Sequence, residues 1–190
     1  IKKNISVNAF LENNNFSDIS IKYNGIYAEI SSFDNLTGYI NFSGNKLTAP
    51  NNKLNITGKI DIFNLNDWKK ISKNNVDIDY LSYVNKIDLT INKLINKNII
   101  FDNFSVKGLC SNKSFIFSEI LVSSNNVNIV SSGEVEFNNI TSFKINLNSK
   151  NLENLLNYWK FSHSLRNSSI ASNFNISWQG SLFDYNLDKI

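Results

Sequence analysis

The sequence is poor in the residues that usually build reactive or cross-linked sites. It has no methionine, one proline, one cysteine and one histidine, and its seven glycines are scattered singly. Cys110 cannot form an internal disulfide, and its apolar strand pattern is typical of a small buried hydrophobic residue. His163 has no second histidine or Cys-x-x-Cys motif to complete a zinc site, and no Asp-rich loop has calcium-ligand spacing. We therefore expect no metal and no cofactor.

Motifs for catalysis are equally scarce. Single glycines cannot form a phosphate-binding loop, and no nucleophile elbow accompanies His163. Asp77 and Asp79 amount only to two carboxylates on one strand face. We predict that the chain is not an enzyme and that it acts through a surface.

Charge is low and evenly mixed. Charged residues make up 18% of the chain, below the ~25% of ordinary globular domains. The 19 basic and 16 acidic residues give a net charge of +3 without a contiguous basic stripe, so nucleic acid is not an expected partner. No apolar run approaches the ~20 residues that cross a bilayer as a helix.

What the sequence does contain is alternation. Apolar and polar residues alternate over short runs separated by Asn, Gly, Ser and Lys clusters, which predicts an all-β fold built as a mostly antiparallel meander. Such a sheet keeps one face dry and one face wet. The clearest runs include Ile19 to Tyr23, Leu54 to Ile62, Ile87 to Ile91, Phe104 to Cys110, Val127 to Phe137, Phe143 to Leu147 and Ile170 to Gln179.

Two segments break the alternation. Residues 64–72 and 151–159 carry apolar residues at spacings of three and four behind an asparagine cap, which predicts two short helices. Each follows a similar strand, Lys59–Ile62 in one case and Lys144–Leu147 in the other. This echo suggests candidate repeat units at about 36–75 and 126–161, and hence a repetitive sheet.

The apolar sheet face is compatible with two architectures. A packed sandwich would bury it against a second sheet, as all-β chains commonly do. A curved, open sheet would instead offer it as a groove to lipid acyl chains. Periodicity alone does not separate the two.

Several segments, in order along the chain, resemble the YhdP-like branch of the AsmA-like (TamB/AsmA) family. Gly133–Phe137 resembles that family's G-x-L-x-W position, and Phe174–Leu187 its C-terminal L-S-W-P-G-x-P-x-D-F-x-L segment. The remaining matches are Ile56–Trp68, Ile87–Leu94, Ile99–Val106 and Asn151–Leu156. The resemblance covers roughly residues 53–190.

The resemblance implies an elongated, bridge-like sheet whose hydrophobic groove carries phospholipids between the inner and outer membranes of a diderm bacterium. It implies a periplasmic location, acyl chains as ligand, an inner-membrane anchor outside residues 1–190, and an outer-membrane or periplasmic partner. We accordingly expect the chain to be a single fragment of a longer protein. The alternative is a structural or adhesive secreted β-domain with a closed core. The candidate groove residues are Leu89, Ile91, Val106, Val127, Ile129, Val135, Ile145, Phe174, Ile176 and Trp178.

Overall fold

A computed structural model describes residues 6–12, 15–23, 26–32, 36–48, 50, 52–65, 80–96, 99–137, 140–153, 156, 164 and 166–180. Within these residues the chain is all-β, as predicted, and its strands form one open sheet. The twelve described strands are β1 Ser6–Glu12, β2 Asn15–Tyr23, β3 Ile26–Ser32, β4 Thr37–Asn41, β5 Leu54–Asn64, β6 Val84–Asn96, β7 Ile99–Phe101, β8 Asn103–Cys110, β9 Ser114–Ser123, β10 Val127–Glu136, β11 Ile140–Ser149 and β12 Ile170–Gln179.

Strand order follows chain order from β1 to β12, except that β7 pairs only with β6 and lies off the main path. All described pairs are antiparallel apart from those of β5, which runs parallel to both β4 and β6. Parallel neighbours require a crossover connection, and residues 42–53 and 65–83 connect these strands. The predicted meander therefore holds on both sides of β5 but not through it.

The predicted helices fall largely outside the described residues. Asn64 is the last residue of β5, Leu65 is helical, and residues 66–72 are not described. In the second segment Leu152, Glu153 and Leu156 are helical. A 3-10 turn that the sequence did not indicate, Tyr80–Tyr83, precedes β6 and lies against β9.

The two candidate repeat units differ in the strand that follows each of them. β5 is followed by β6, its parallel neighbour, whereas β11 is followed by β12, its antiparallel neighbour. The repeat therefore remains a prediction from the sequence.

Side chains on the two faces of the sheet differ in character. We call one the apolar face, which carries Val106, Phe117, Val135 and Phe143, and the other the polar face. These four residues belong to one hydrophobic cluster, together with Val84 and the fully buried Phe115. The main core of the described sheet thus lies along one face.

Candidate functional site

The pairing register assigns residues to the apolar face, because cross-strand partners lie on the same side of a sheet. Leu89 pairs with Val106, which pairs with Ile120. Further along, Ile145 pairs with Phe174, and Thr141 with both Val135 and Trp178. Extended strand by strand, the register places all ten candidate groove residues on the apolar face.

The candidates differ in exposure. Ile91, Val106 and Val135 are buried, Phe174 is 39% exposed, and the other six are intermediate. This gradient means that the face is covered in some places and open in others.

One line of partners crosses the sheet with no polar residue in it. We call it the central row. Its members are successive register partners from β3 to β12: Ala28, Ile40, Ile56, Ile87, Gly108, Phe117, Gly133, Phe143 and Ile176. None is exposed, and the backbone register continues beyond Ala28 to Ile21 and Val7. Eight intervals of ~4.8 Å give the row a length of about 38 Å.

The rows beside it are interrupted by hydroxyl side chains: Ser131 in one, Thr141 in another and Ser172 in a third. Thr141, which is fully buried, donates to the carbonyl oxygen of Gly180 at 2.8 Å. A buried hydroxyl needs such a partner, since leaving it unpaired is costly. The central row is thus the continuous apolar path among its neighbours.

Aromatic rings line the C-terminal part of this row. Phe117 and Phe143 flank Gly133 from the two adjacent strands, and their ring centroids lie 5.8 Å apart. Phe143 stacks on Trp178 at 5.9 Å, and Phe117 contacts Phe115 at 4.9 Å. A Cβ at Gly133 would collide with the Phe143 ring and the Ser142 carbonyl, so the glycine is what lets the rings close over β10.

Sequence reasoning missed most of the central row, of which only Ile176 was a candidate groove residue. The central row also contains Ile56, Ile87, Phe117 and Phe143, and none of these four was among the candidate groove residues. Alternation identifies the apolar positions of one strand, but it does not say which positions of neighbouring strands are partners. The pair of glycines, Gly108 and Gly133, was the available signal, because glycine within a strand marks a close approach by a neighbouring group.

Lys53 marks the end of the apolar face at which β5 begins. Its ammonium lies 2.9 Å from the Cys110 sulfur and 5.8 Å from the centroid of the Phe137 ring. Phe137 follows β10, four strand intervals from β5, or about 19 Å in a flat sheet. Side chains from such distant strands meet here, which indicates that this end of the apolar face is concave. Cys110 lies on the apolar face but is half-buried rather than buried as predicted, and its sulfur contacts the Lys53 ammonium.

The polar face carries two ion pairs, one between β8 and β9 and one within β6. Lys107 lies 3.0 Å from Glu119, and Lys86 lies 3.3 Å from Asp88. The hydrogen bond from Lys107 to Glu119 raises the pKa of the lysine. All four side chains are at least 41% exposed, so this part of the polar face is hydrated.

No grouping of three or more potential metal ligands occurs among the described residues. Nor does any helix within them have the length and apolar character that crossing a membrane requires. His163 lies outside the described residues.

No protein-family model matches the chain, and no curated protein or solved structure matches it either.

Proposed function

We propose that the chain is a non-enzymatic lipid conduit whose apolar face shields phospholipid acyl chains from water. The observation that carries the proposal is the central row, which crosses nine strands without a polar residue. A hydrocarbon chain can shift along such a row without passing a polar group that it would desolvate. The family resemblance of the sequence supports the same function, in the periplasm between the two membranes of a diderm bacterium.

The dimensions suit this ligand. A row of about 38 Å is more than twice the ~15 Å depth of one leaflet's hydrocarbon. At ~0.8 kcal/mol per methylene, covering half the surface of roughly 16 methylenes is worth about 6 kcal/mol. This free energy is large enough to hold an acyl chain on the apolar face and small enough to allow its release. Continuous apolar lining, rather than any single residue, supplies this energy.

The rival function, a structural or adhesive domain with a closed core, would divide the strands between two facing sheets. The described strands instead belong to one sheet. We therefore favour the conduit.

Organic extraction of the purified protein followed by mass spectrometry tests the proposal, because a closed core carries no lipid. We expect co-purified phospholipid in wild type. We expect Phe174→Asp to reduce it by about tenfold or more, since a carboxylate on the apolar face would have to be desolvated beside the acyl chain.

Ile116→Asp is the matched control. Ile116 is 45% exposed and Phe174 39% exposed, but Ile116 lies on the polar face. The control should retain its lipid. Equal loss in both variants, or wild-type protein free of lipid, would refute the conduit and favour a structural domain.

A further inference from the structure

Three strands project beyond the rest of the sheet as far as the structure describes it. β9 ends at Ser123, whose partner is Asn103. β6 and β7 continue beyond this level as an antiparallel pair, in which Leu94 pairs with Phe101 and Asn96 with Ile99. β5 accompanies them to Asn64. We call residues 61–64, 92–96 and 99–101 the tongue. It extends about four residues, or ~13 Å, beyond the end of β9.

The apolar face continues onto the tongue. Ile60 pairs with Ile91, which is on the apolar face, and two residues further along Ile62 pairs with Lys93. In the same alternation Ile95 pairs with Ile100. Ile62, Ile95 and Ile100 therefore lie on the same side of the sheet as the central row.

Two of these three isoleucines are exposed, and Ile95 is half-buried. Ile62 is 62% exposed and Ile100 is 52% exposed, whereas Ile91, where the tongue joins the sheet, is 4% exposed. The apolar face thus changes from buried to open over a few residues.

Charge is divided between the two faces of the tongue. Lys93 is exposed on the apolar face. Asp61 lies on the polar face, where its carboxylate accepts a hydrogen bond from Asn92 at 3.0 Å. The side that carries the exposed isoleucines therefore carries a cation, with this carboxylate on the other side. Exposed apolar side chains beside a lysine suit an anionic lipid surface.

We propose that the tongue is a membrane-docking lip, at which the apolar face contacts a bilayer with anionic headgroups and exchanges acyl chains with it. This inference rests on the proposed conduit. The exposed side of the tongue is continuous with the apolar face. A protein bound there would block the entry of acyl chains, whereas a bilayer would supply them.

Co-sedimentation of the full chain with vesicles tests the proposal, using phosphatidylcholine alone and phosphatidylcholine mixed with phosphatidylglycerol. The double variant Ile62→Asn, Ile100→Asn should weaken binding to the mixed vesicles about 30-fold, because two exposed isoleucines no longer insert. Lys93→Gln should weaken binding to the mixed vesicles about fivefold and leave binding to phosphatidylcholine unchanged.

The matched control is Leu109→Asn, Ile116→Asn. These side chains are 58% and 45% exposed, and they pair with each other on the polar face. This control should bind vesicles as wild type does. Equal binding by the tongue variant and wild type, equal weakening in the control, or no vesicle binding by wild type would overturn the lip.

Two further measurements separate this proposal from its rivals and from the conduit itself. Sedimentation velocity of wild type and the tongue variant shows whether the tongue joins two copies of the chain, and a dimer lost in the variant would also overturn the lip. The tongue variant should still carry lipid on organic extraction. A lipid-free wild type that still bound vesicles through the tongue would refute the conduit while retaining the docking surface.

Discussion

β4 and β10 occupy the same sheet but bury different faces. In β10, Val135 and Ser131 are buried on the apolar face, while Asn128 and Ser132 on the polar face are exposed. In β4 the fully buried side chain is Tyr39, which lies on the polar face because its neighbour Ile40 lies in the central row.

The connections explain the difference. β10 is joined to its two antiparallel neighbours by short connections, which leave the polar face of β10 exposed to solvent. β4 is followed by a crossover whose residues fold onto that face: Asn41 donates to the carbonyl of Asn45 at 2.8 Å and accepts from the Ser43 amide at 3.0 Å. Tyr39 stacks on Tyr27 at 6.0 Å and donates to Glu29 at 3.2 Å. The sheet therefore has a main core on the apolar face and a small second core under this connection.

The largest expected effect tests whether the apolar face is the main core. Phe143→Ala should reduce the free energy of unfolding by about 3–5 kcal/mol, because Phe143 is 7% exposed and contacts the rings of Phe117 and Trp178. Urea denaturation measures it. Phe174→Ala, on the same face but 39% exposed, should cost less than ~1 kcal/mol. Equal effects would mean that the face is uniformly solvated.

We expect the second core to make the free energy of unfolding depend on pH in the alkaline range. Burial raises the pKa of Tyr39 to about 12 from 10.0, with smaller contributions from Glu29. The folded state then holds this proton more tightly than the unfolded state does, so the stabilisation is complete below pH 10 and is lost as pH rises towards 12.

Tyr39→Phe should remove that part of the alkaline loss and, at neutral pH, cost about 1 kcal/mol for the hydrogen bond to Glu29. Urea midpoints at pH 7, 10 and 11 measure both effects. An alkaline loss identical in wild type and Tyr39→Phe would show that the crossover does not shield Tyr39.

The smallest effect is expected where the polar face is uncovered. Lys107→Gln removes the ion pair with Glu119, but both side chains are largely exposed and such pairs contribute little. The urea midpoint should not shift measurably at 0.15 M salt. A clear shift would indicate that this part of the polar face is also covered.

Sequence periodicity predicted the strands well because the side-chain period of two is a property of each strand alone. β8, β10 and β12 coincide with predicted runs to within one residue, β11 extends its predicted run at both ends, and every candidate groove residue lies on the apolar face. The second core at Tyr39 was not predictable in this way. Its burial depends on the path of a crossover, and residues 42–53 carry no periodic signal for that path.

The amino-acid sequence by itself determined that this chain forms strands with one apolar side, because alternation is local and needs no knowledge of neighbours. Tertiary structure alone decided which residues are partners across strands, since register is a relation between distant segments. The register placed Ala28 and Ile176 in one row with seven residues between them. The tertiary structure also made β5 parallel to its neighbours and left Ile62 and Ile100 exposed on the tongue.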